Sequence, residues 1–159
     1  MYYAENQIVK SLPSMIDNAS DAELKHGLQQ HLRETEEQVK RLEQVFELHD
    51  EKPSGTKCPA IDGIIAEGDD LMGEVADKAV LNVGIIAAAQ AVEHYEITRY
   101  GALIAWAEEL GHDRDAAILG RNLNEEKAAD KKLSAMAERR VNPKSRKGAG
   151  KRATHARRP

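Results

Sequence analysis

Two long stretches of uninterrupted helical periodicity constrain this chain more than any other feature. The first starts at a capping-box pattern, Ser20-Asp21-Ala22-Glu23, and runs to about His49 without a breaker. At about 1.5 Å per residue, such a helix is a rod of roughly 44 Å. The second stretch runs from about Lys78 to Leu110. Because a chain of 159 residues fits a single domain, two rods of this length predict a helical bundle.

A shorter helix beside each long one completes two hairpins. Residues 1–18 place apolar side chains at spacings of three and four, which is one face of a helix. Pro13 lies inside this segment and should kink the helix or end it early. In the second hairpin, a tight turn at residues 111–113 precedes a fourth helix over about residues 114–139. Each long helix therefore has an antiparallel partner.

The connection between the two hairpins is long. Residues 51–59 contain two prolines, a glycine and a serine, which predicts a loop. An amphipathic segment over about residues 60–72 predicts a short helix lying across the bundle. This order is that of an all-α, ferritin-like antiparallel four-helix bundle with one long crossover carrying a short extra helix. Only 4% of the residues are aromatic, which disfavours a β-sandwich.

Charge is divided unevenly along the chain. Residues 1–138 hold 14 Lys and Arg against all 27 Asp and Glu, whereas residues 139–159 hold 9 basic residues and no acid. We therefore divide the chain into a ferritin-like four-helix bundle, 1–138, and a basic tail, 139–159. With almost no large apolar residue, the tail is predicted to be disordered. It could contact nucleic-acid phosphates without sequence preference, or fold back on the acidic body.

Carboxylates interrupt the apolar stripes of the third and fourth helices. Glu93 and Glu96 stand in the middle of one stripe, and Glu126 stands in the other with Asp130 beside it. Residues equally far from the turn of an antiparallel hairpin lie at equal height. By that rule Glu96 faces Glu126 and Glu93 faces Asp130, which makes two acidic pairs one helical turn apart.

The first hairpin repeats this pattern. Glu5 stands on the apolar face of the first helix, and Glu34 lies along one edge of the second. The two residues are equally far from their turn, so they should face one another. His31 and Gln38 lie along the same edge as Glu34 and are alternative ligands.

Several unpaired carboxylates in a core would cost on the order of tens of kcal/mol, so they must be protonated, paired or metal-bound. Lys and Arg are nearly absent from these stripes. A lone glutamate would be a solvated helix edge, but agreement among four helices favours a di-metal carboxylate site for two Fe ions, with Mn as the alternative. The predicted metal ligands are Glu5, Glu34, Glu93, Glu96, Glu126 and Asp130.

Four segments of the sequence resemble one known family. They are YYAENQIVKSLPSMI, HLRETEEQV, AAQAVEHYEITRYGALIAWAEELG and LNEEKAADKKL, in this order. They are similar to the YciE/YciF group of bacterial ferritin-like proteins, over about residues 1–140. The resemblance implies a rubrerythrin-like bundle, a homodimer, a di-metal centre with iron as the first choice, and an association with stress responses. It implies no settled activity.

Two functions of different classes follow. The first is a stress-response protein whose carboxylate-bridged pair of metal ions oxidises iron or reduces O₂ or peroxide. The alternative is a non-catalytic structural or DNA-associated bundle in which the basic tail carries the interaction.

The single cysteine, Cys58, excludes an internal disulfide, and no stretch approaches the ~20 apolar residues of a membrane span. We therefore expect a soluble, cytoplasmic protein without a membrane partner.

Overall fold

The computed structural model describes residues 1–146, and within that range it contains five α-helices and no strand. The helices are α1 (Tyr2–Asn18), α2 (Ala22–Leu48), α3 (Pro59–Glu74), α4 (Lys78–Glu109) and α5 (Asp113–Met136). The all-α fold expected from the sequence is confirmed. None of these helices is both long and apolar enough to cross a membrane.

The helices pack as two hairpins joined by a crossover. α1 lies against α2, α4 lies against α5, and the hairpins meet where α2 packs beside α5. α3 belongs to the connection between the hairpins and packs on α4 and α1. It approaches α4 closely because residue 84 is glycine: a Cβ there would lie 2.5 Å from Cδ2 of Leu71. The apolar core fills the space between the hairpins, with Ile8, Leu24 and Ile85 almost fully buried.

Capping residues set the helix ends close to the predicted positions. α2 begins at Ala22 because Asp21 accepts hydrogen bonds from the backbone amides of Glu23 and Leu24. Ser20, which the sequence suggested as the start, instead links the hairpins: its amide donates to Asn82 Oδ1 at 2.9 Å. α1 continues through Pro13 to Asn18, so the early end that proline suggested does not occur.

The C-terminal part of the bundle extends beyond the predicted boundary at residue 138. α5 is followed by a π-helical turn, Ala137–Val141, and residues 142–146 are helical again. Val141 is buried in the apolar core. The predicted disorder is therefore wrong for residues 139–146, and the rest of the predicted tail, 147–159, lies outside the described residues.

Long-range ion pairs explain why these basic residues are ordered. Arg140 Nε lies 2.9 Å from Asp21 Oδ2, and Lys144 Nζ lies 2.7 Å from the same oxygen. Asp21 is buried, so both cations reach a carboxylate that has little water around it. The composition of residues 139–146 indicated disorder because it does not include the partner of their charges. That partner, Asp21, lies more than a hundred residues earlier in the sequence.

Candidate metal centre

The middle of α4 turns two glutamates into the core. Glu93 and Glu96 are three residues apart, so they share a helix face one turn apart. Their relative exposures are 1% and 0%. A helix interior rarely buries two carboxylates side by side without basic partners, so these two residues define the centre.

The neighbouring helices bring further ligand groups to the same point. α5 contributes Glu126 and α2 contributes His31, both buried. The donor atoms of His31, Glu93, Glu96 and Glu126 all lie within 4.8 Å of one another. Within the set, His31 Nε2 is 3.2 Å from Glu93 Oε1. One imidazole and three carboxylates at this separation form a ligand set suited to a first-row transition metal.

Most of the polar atoms at the centre have no hydrogen-bond partner within the protein. Five carboxylate oxygens are buried and unpartnered, namely Glu5 Oε2, Glu93 Oε2, both oxygens of Glu96, and Glu126 Oε2. Gln38 Oε1 is also without a partner, and so is His31 Nε2, whose 3.2 Å approach to Glu93 Oε1 lacks hydrogen-bond geometry. Since buried polar atoms are nearly always hydrogen-bonded, such a concentration indicates a group that the protein chain itself does not supply. These atoms fit a cation, because all of them are electron-pair donors.

Burial controls the protonation of these acids. Desolvation raises the pKa of Glu5 to about 8; the charge of Glu126 adds to the rise, while a hydrogen bond from Tyr100 opposes it. Desolvation also holds the pKa of Glu93 and of Glu96 well above the usual range, and the neighbouring carboxylates raise both further. Without a cation, Glu5 is therefore mostly protonated at neutral pH, and burial favours the protonated forms of Glu93 and Glu96 in the same direction.

A chain of hydrogen bonds connects Glu5 to the outside of the bundle. The Tyr100 hydroxyl donates to Glu5 Oε1, and Asn122 Nδ2 donates to the Tyr100 oxygen at 2.9 Å. Arg41 donates to Asn122 Oδ1 and also forms a two-point pair with Glu125, with both distances 2.8 Å. Glu125 lies at the edge of the bundle, and Arg41 neutralises its charge. Arg41 therefore does not act as a basic partner for the central glutamates.

Tyr100 and Asn122 stand on the inward stripes of the third and fourth predicted helices. For Tyr100 the sequence leaves open simple packing, electron relay or a hydrogen bond to a ligand, and it gives Asn122 no role. Gln38, which it named only as an alternative ligand, donates to Glu126 Oε1. The signal that could have identified these residues is their position: all three are polar side chains at inward-facing positions level with the glutamates. Arg41 lacked even this signal, because a buried arginine on α2 was not expected.

Four of the six predicted ligands lie together at the centre, and two lie at its border. Glu5, Glu93, Glu96 and Glu126 are brought together as the stripe positions indicate. Asp130 is partly exposed and accepts from Gln90 Nε2 at 2.8 Å, with His94 Nε2 at 3.3 Å. It remains close enough for its charge to raise the pKa of Glu93.

The placement of Glu34 follows from the rotation of α2. The inward face of α2 passes through His31, Thr35 and Gln38, all of which are buried. Glu34 is one position away from that face and accepts a hydrogen bond from Gln30 at 2.7 Å. The α2 residue in the donor cluster is therefore His31, one of the two alternatives to Glu34.

A cavity leads from the surface to the centre. It has a volume of about 530 Å³ and runs between α2 and α5, where His31 and Glu93 form its inner end. Leu133 and Met136 contribute apolar walls, and Glu34 also lines it. Small solutes and ions thus have a route to the buried ligand atoms.

Comparisons with known proteins agree on one family. The model of the domain of unknown function DUF892 matches residues 1–146. The protein YciF of Escherichia coli K12 is 39% identical over 145 residues, which is 91% of this chain and 87% of YciF. The family match includes residues 139–146, in agreement with their place in the fold.

Two solved structures have the same architecture. YcfI from Rhodopseudomonas palustris, for which a structural role has been suggested, matches with a TM-score of 0.83 and 61% identity, covering 84% of this chain and 85% of YcfI. The crystal structure of the E. coli stress protein YciF matches with a TM-score of 0.84 and 39% identity, covering 89% of each chain.

Proposed function

We propose that this chain, which belongs to the DUF892 family of YciF-type proteins, binds two iron ions at its central carboxylate cluster and acts in a stress response. Manganese is the alternative metal. The stress role rests on similarity to YciF, which is described as a stress protein. The metal centre rests on the chemistry of the buried side chains.

The observation that carries the proposal is the set of five unpartnered carboxylate oxygens at the centre. A purely structural core would replace such groups with apolar residues, because each unsatisfied buried acceptor costs about 1–3 kcal/mol. A bound cation removes this cost. Iron and manganese suit this carboxylate-rich donor set better than zinc, whose structural sites are built mainly from cysteine and histidine.

The side chains at the centre would supply both oxygen and nitrogen ligands. Glu93, Glu96, Glu126 and Glu5 would supply oxygen ligands and His31 a nitrogen ligand. Both oxygens of Glu96 are buried without a hydrogen-bond partner, so either oxygen could serve as a metal ligand. Iron ions bound there would supply one-electron redox chemistry toward O₂ or peroxide.

The surrounding residues would control protons and access. Tyr100 donates to Glu5, and Asn122 and Arg41 fix the Tyr100 hydroxyl in that direction. A proton leaving Glu5 on metal binding therefore leaves behind a carboxylate that still accepts one strong hydrogen bond. The cavity that ends at His31 and Glu93 would admit ions and small oxidants, while the apolar core keeps other solvent out.

Elemental analysis of the purified full chain tests the proposal. We expect about two iron or manganese ions per chain, a strong loss of metal in Glu96→Gln, and no loss in Glu109→Gln, a matched change at an exposed position. Iron loading of the metal-free protein in weak buffer at pH 7 should release protons, because the pKa of Glu5, about 8, keeps that acid protonated beforehand and the pKa values of Glu93 and Glu96 are raised as well. Negligible metal in the wild type, or equal metal in Glu96→Gln, would contradict it.

Should metal be absent, the similarity to YcfI favours a structural role. The basic residues 139–159 are then the candidate nucleic-acid contact, although Arg140 and Lys144 already pair with Asp21. Salt-dependent DNA binding that survives Glu96→Gln and disappears when the basic residues after 146 are neutralised would support this alternative.

A homodimer is proposed from the family resemblance, and light scattering of the full chain tests that oligomeric state.

A further inference from the structure

A second group of metal-ligating side chains lies at one end of the bundle, away from the glutamates of the centre. It consists of His49, which directly follows α2, and His112 and Asp115 at the start of α5. Their donor atoms all lie within 4.8 Å of one another. His49 Nε2 is 2.6 Å from Asp115 Oδ2, and the two imidazole rings meet edge to face with centroids 5.0 Å apart.

Local structure does not explain why these three side chains converge. His112 is the N-cap residue of α5, but its side chain makes no capping hydrogen bond. Asp115 is in the first turn, where a carboxylate commonly reaches back to the helix start; here it points to His49 on the other hairpin instead. Within the described residues, the ring nitrogens of His112 have no hydrogen-bond partner. Two neighbouring imidazoles and a carboxylate with 10% side-chain exposure thus have donor atoms within 4.8 Å of one another.

We propose that His49, His112 and Asp115 form a binding site for a single Zn²⁺-type divalent metal ion that joins the two hairpins. Two imidazoles and one carboxylate with open remaining positions is a recurrent ligand set for zinc and similar ions. Ligands around one zinc ion lie about 3.4 Å apart, given metal–ligand distances of about 2.1 Å. The two exposed histidine side chains can reach that spacing by rotation about their side-chain bonds.

This site differs from the central one in chemistry and in consequence. It has nitrogen ligands in the majority and is open to solvent, whereas the centre is rich in oxygen and buried. His49 also borders a cavity of about 520 Å³ beside Phe46 and Leu119, so the His49 side of the site is accessible to water. An ion held here ties the end of α2 to the beginning of α5, so its effect is on stability and does not depend on redox chemistry at the centre.

Zinc titration of the metal-free full chain tests the site. In a Glu93→Gln, Glu96→Gln background, which weakens the centre, we expect one Zn²⁺ per chain. His112→Asn and Asp115→Asn should each weaken binding by about tenfold or more. His26→Asn, a matched change at another exposed histidine, should leave the binding unchanged. Zn²⁺ should also raise the Tm of the background protein and leave the Tm of its His112→Asn derivative unchanged.

A second measurement uses the wild-type chain and does not depend on the background folding. The first equivalent of Zn²⁺ should shift the imidazole NMR signals of His49 and His112 before those of His26 and His94. Zinc binding that is the same in His112→Asn and Asp115→Asn as in the parent, or imidazole shifts that begin at His26 or His94, would overturn the proposal. Neither outcome bears on iron at the centre, so the two proposals can fail separately.

Discussion

The centre of the bundle and the region around Asp21 both bury carboxylates, but their pKa values shift in opposite directions. At the centre, burial raises the pKa of Glu5 to about 8. At the other region, burial also raises the pKa of Asp21, but hydrogen bonds from Lys144, Arg140 and the Leu24 amide outweigh it and hold the pKa at about 2. The difference arises from the partners, since both carboxylates are removed from water.

This comparison separates a structural acid from one that is available to a ligand. Asp21 has its cations within the chain, so its charge is permanent and contributes to the fold. The central acids have none, and the nearby arginine, Arg41, is committed to Glu125. A protein that keeps basic side chains away from several buried acids leaves those acids able to bind a cation from solution.

The largest effect should be the pH dependence of the metal-free protein. A raised pKa in the folded state means that the folded protein holds protons that the unfolded chain releases. The stability from Glu5 is thus fully present below its ordinary pKa of 4.5 and is lost as the pH rises through about 8. Glu93 and Glu96 act in the same direction.

Urea unfolding of the metal-free protein between pH 5 and pH 9 measures this effect. At about 1.4 kcal/mol for each unit of pKa shift, we expect the free energy of unfolding to fall by several kcal/mol. Glu96→Gln should flatten the profile, because the amide cannot ionise. A wild-type profile that is flat over this range would show that the central acids are not held protonated.

The next largest effect should come from Tyr100→Phe. This change removes the donor to Glu5 and leaves Asn122 without one of its acceptors, in a position with 0% exposure. We expect a loss of about 1–3 kcal/mol in unfolding free energy. Since the Tyr100 hydrogen bond lowers the pKa of Glu5, its removal should also move the fall in stability to higher pH. Unchanged stability together with an unchanged pH profile would contradict the hydrogen-bonded chain.

Asp21→Asn should have a smaller effect of about 1–2 kcal/mol near pH 7. Asparagine still caps α2, so the change isolates the pairing with Arg140 and Lys144. Because the pKa of Asp21 is lowered in the folded protein, its contribution is present above the ordinary value of 3.8 and is lost as the pH falls toward 2. Chemical denaturation of both proteins at pH 7 and near pH 2 should therefore show a difference at pH 7 that nearly disappears in acid.

The smallest effect should follow Lys40→Ala. Lys40 pairs with Glu37 at 2.5 Å, but both side chains are more than half exposed, at 62% and 58%. Exposed pairs of this kind contribute little to stability, because solvent and salt screen them. We expect no measurable change in Tm at either of two salt concentrations, as followed by thermal unfolding. A measurable loss would mean that exposure is a poor guide to which acids of this protein depend on their partners.

Helix periodicity explains how much of the centre could be predicted from sequence. Glu93 and Glu96 stand in a stripe whose apolar neighbours fix one inward face, and Glu126 stands in a similar stripe. On α2, polar residues are so frequent that two faces fit nearly equally well. Tertiary packing chose the one through His31 and Gln38, which rotated Glu34 to the border.

The order of residues 139–146 could not be predicted because its cause is not local. Composition describes a segment by its own residues, and this one has little apolar surface. Its stability comes from Val141 in the core and from an aspartate far away in the sequence. Likewise, the approach of His49 to Asp115 depends on how the two hairpins are set side by side, which turn positions within one hairpin do not determine.

The π-helical turn Ala137–Val141 sets the angular phase of everything that follows it. A π turn holds one residue more than an α turn, and one residue corresponds to about 100° of rotation around a helix axis. The extra residue therefore decides that Val141 points inward while Arg140 and Lys144 point to Asp21. A single-residue deletion there should leave a helix but rotate Arg140 and Lys144 away from Asp21, whereas a substitution would leave their direction unchanged.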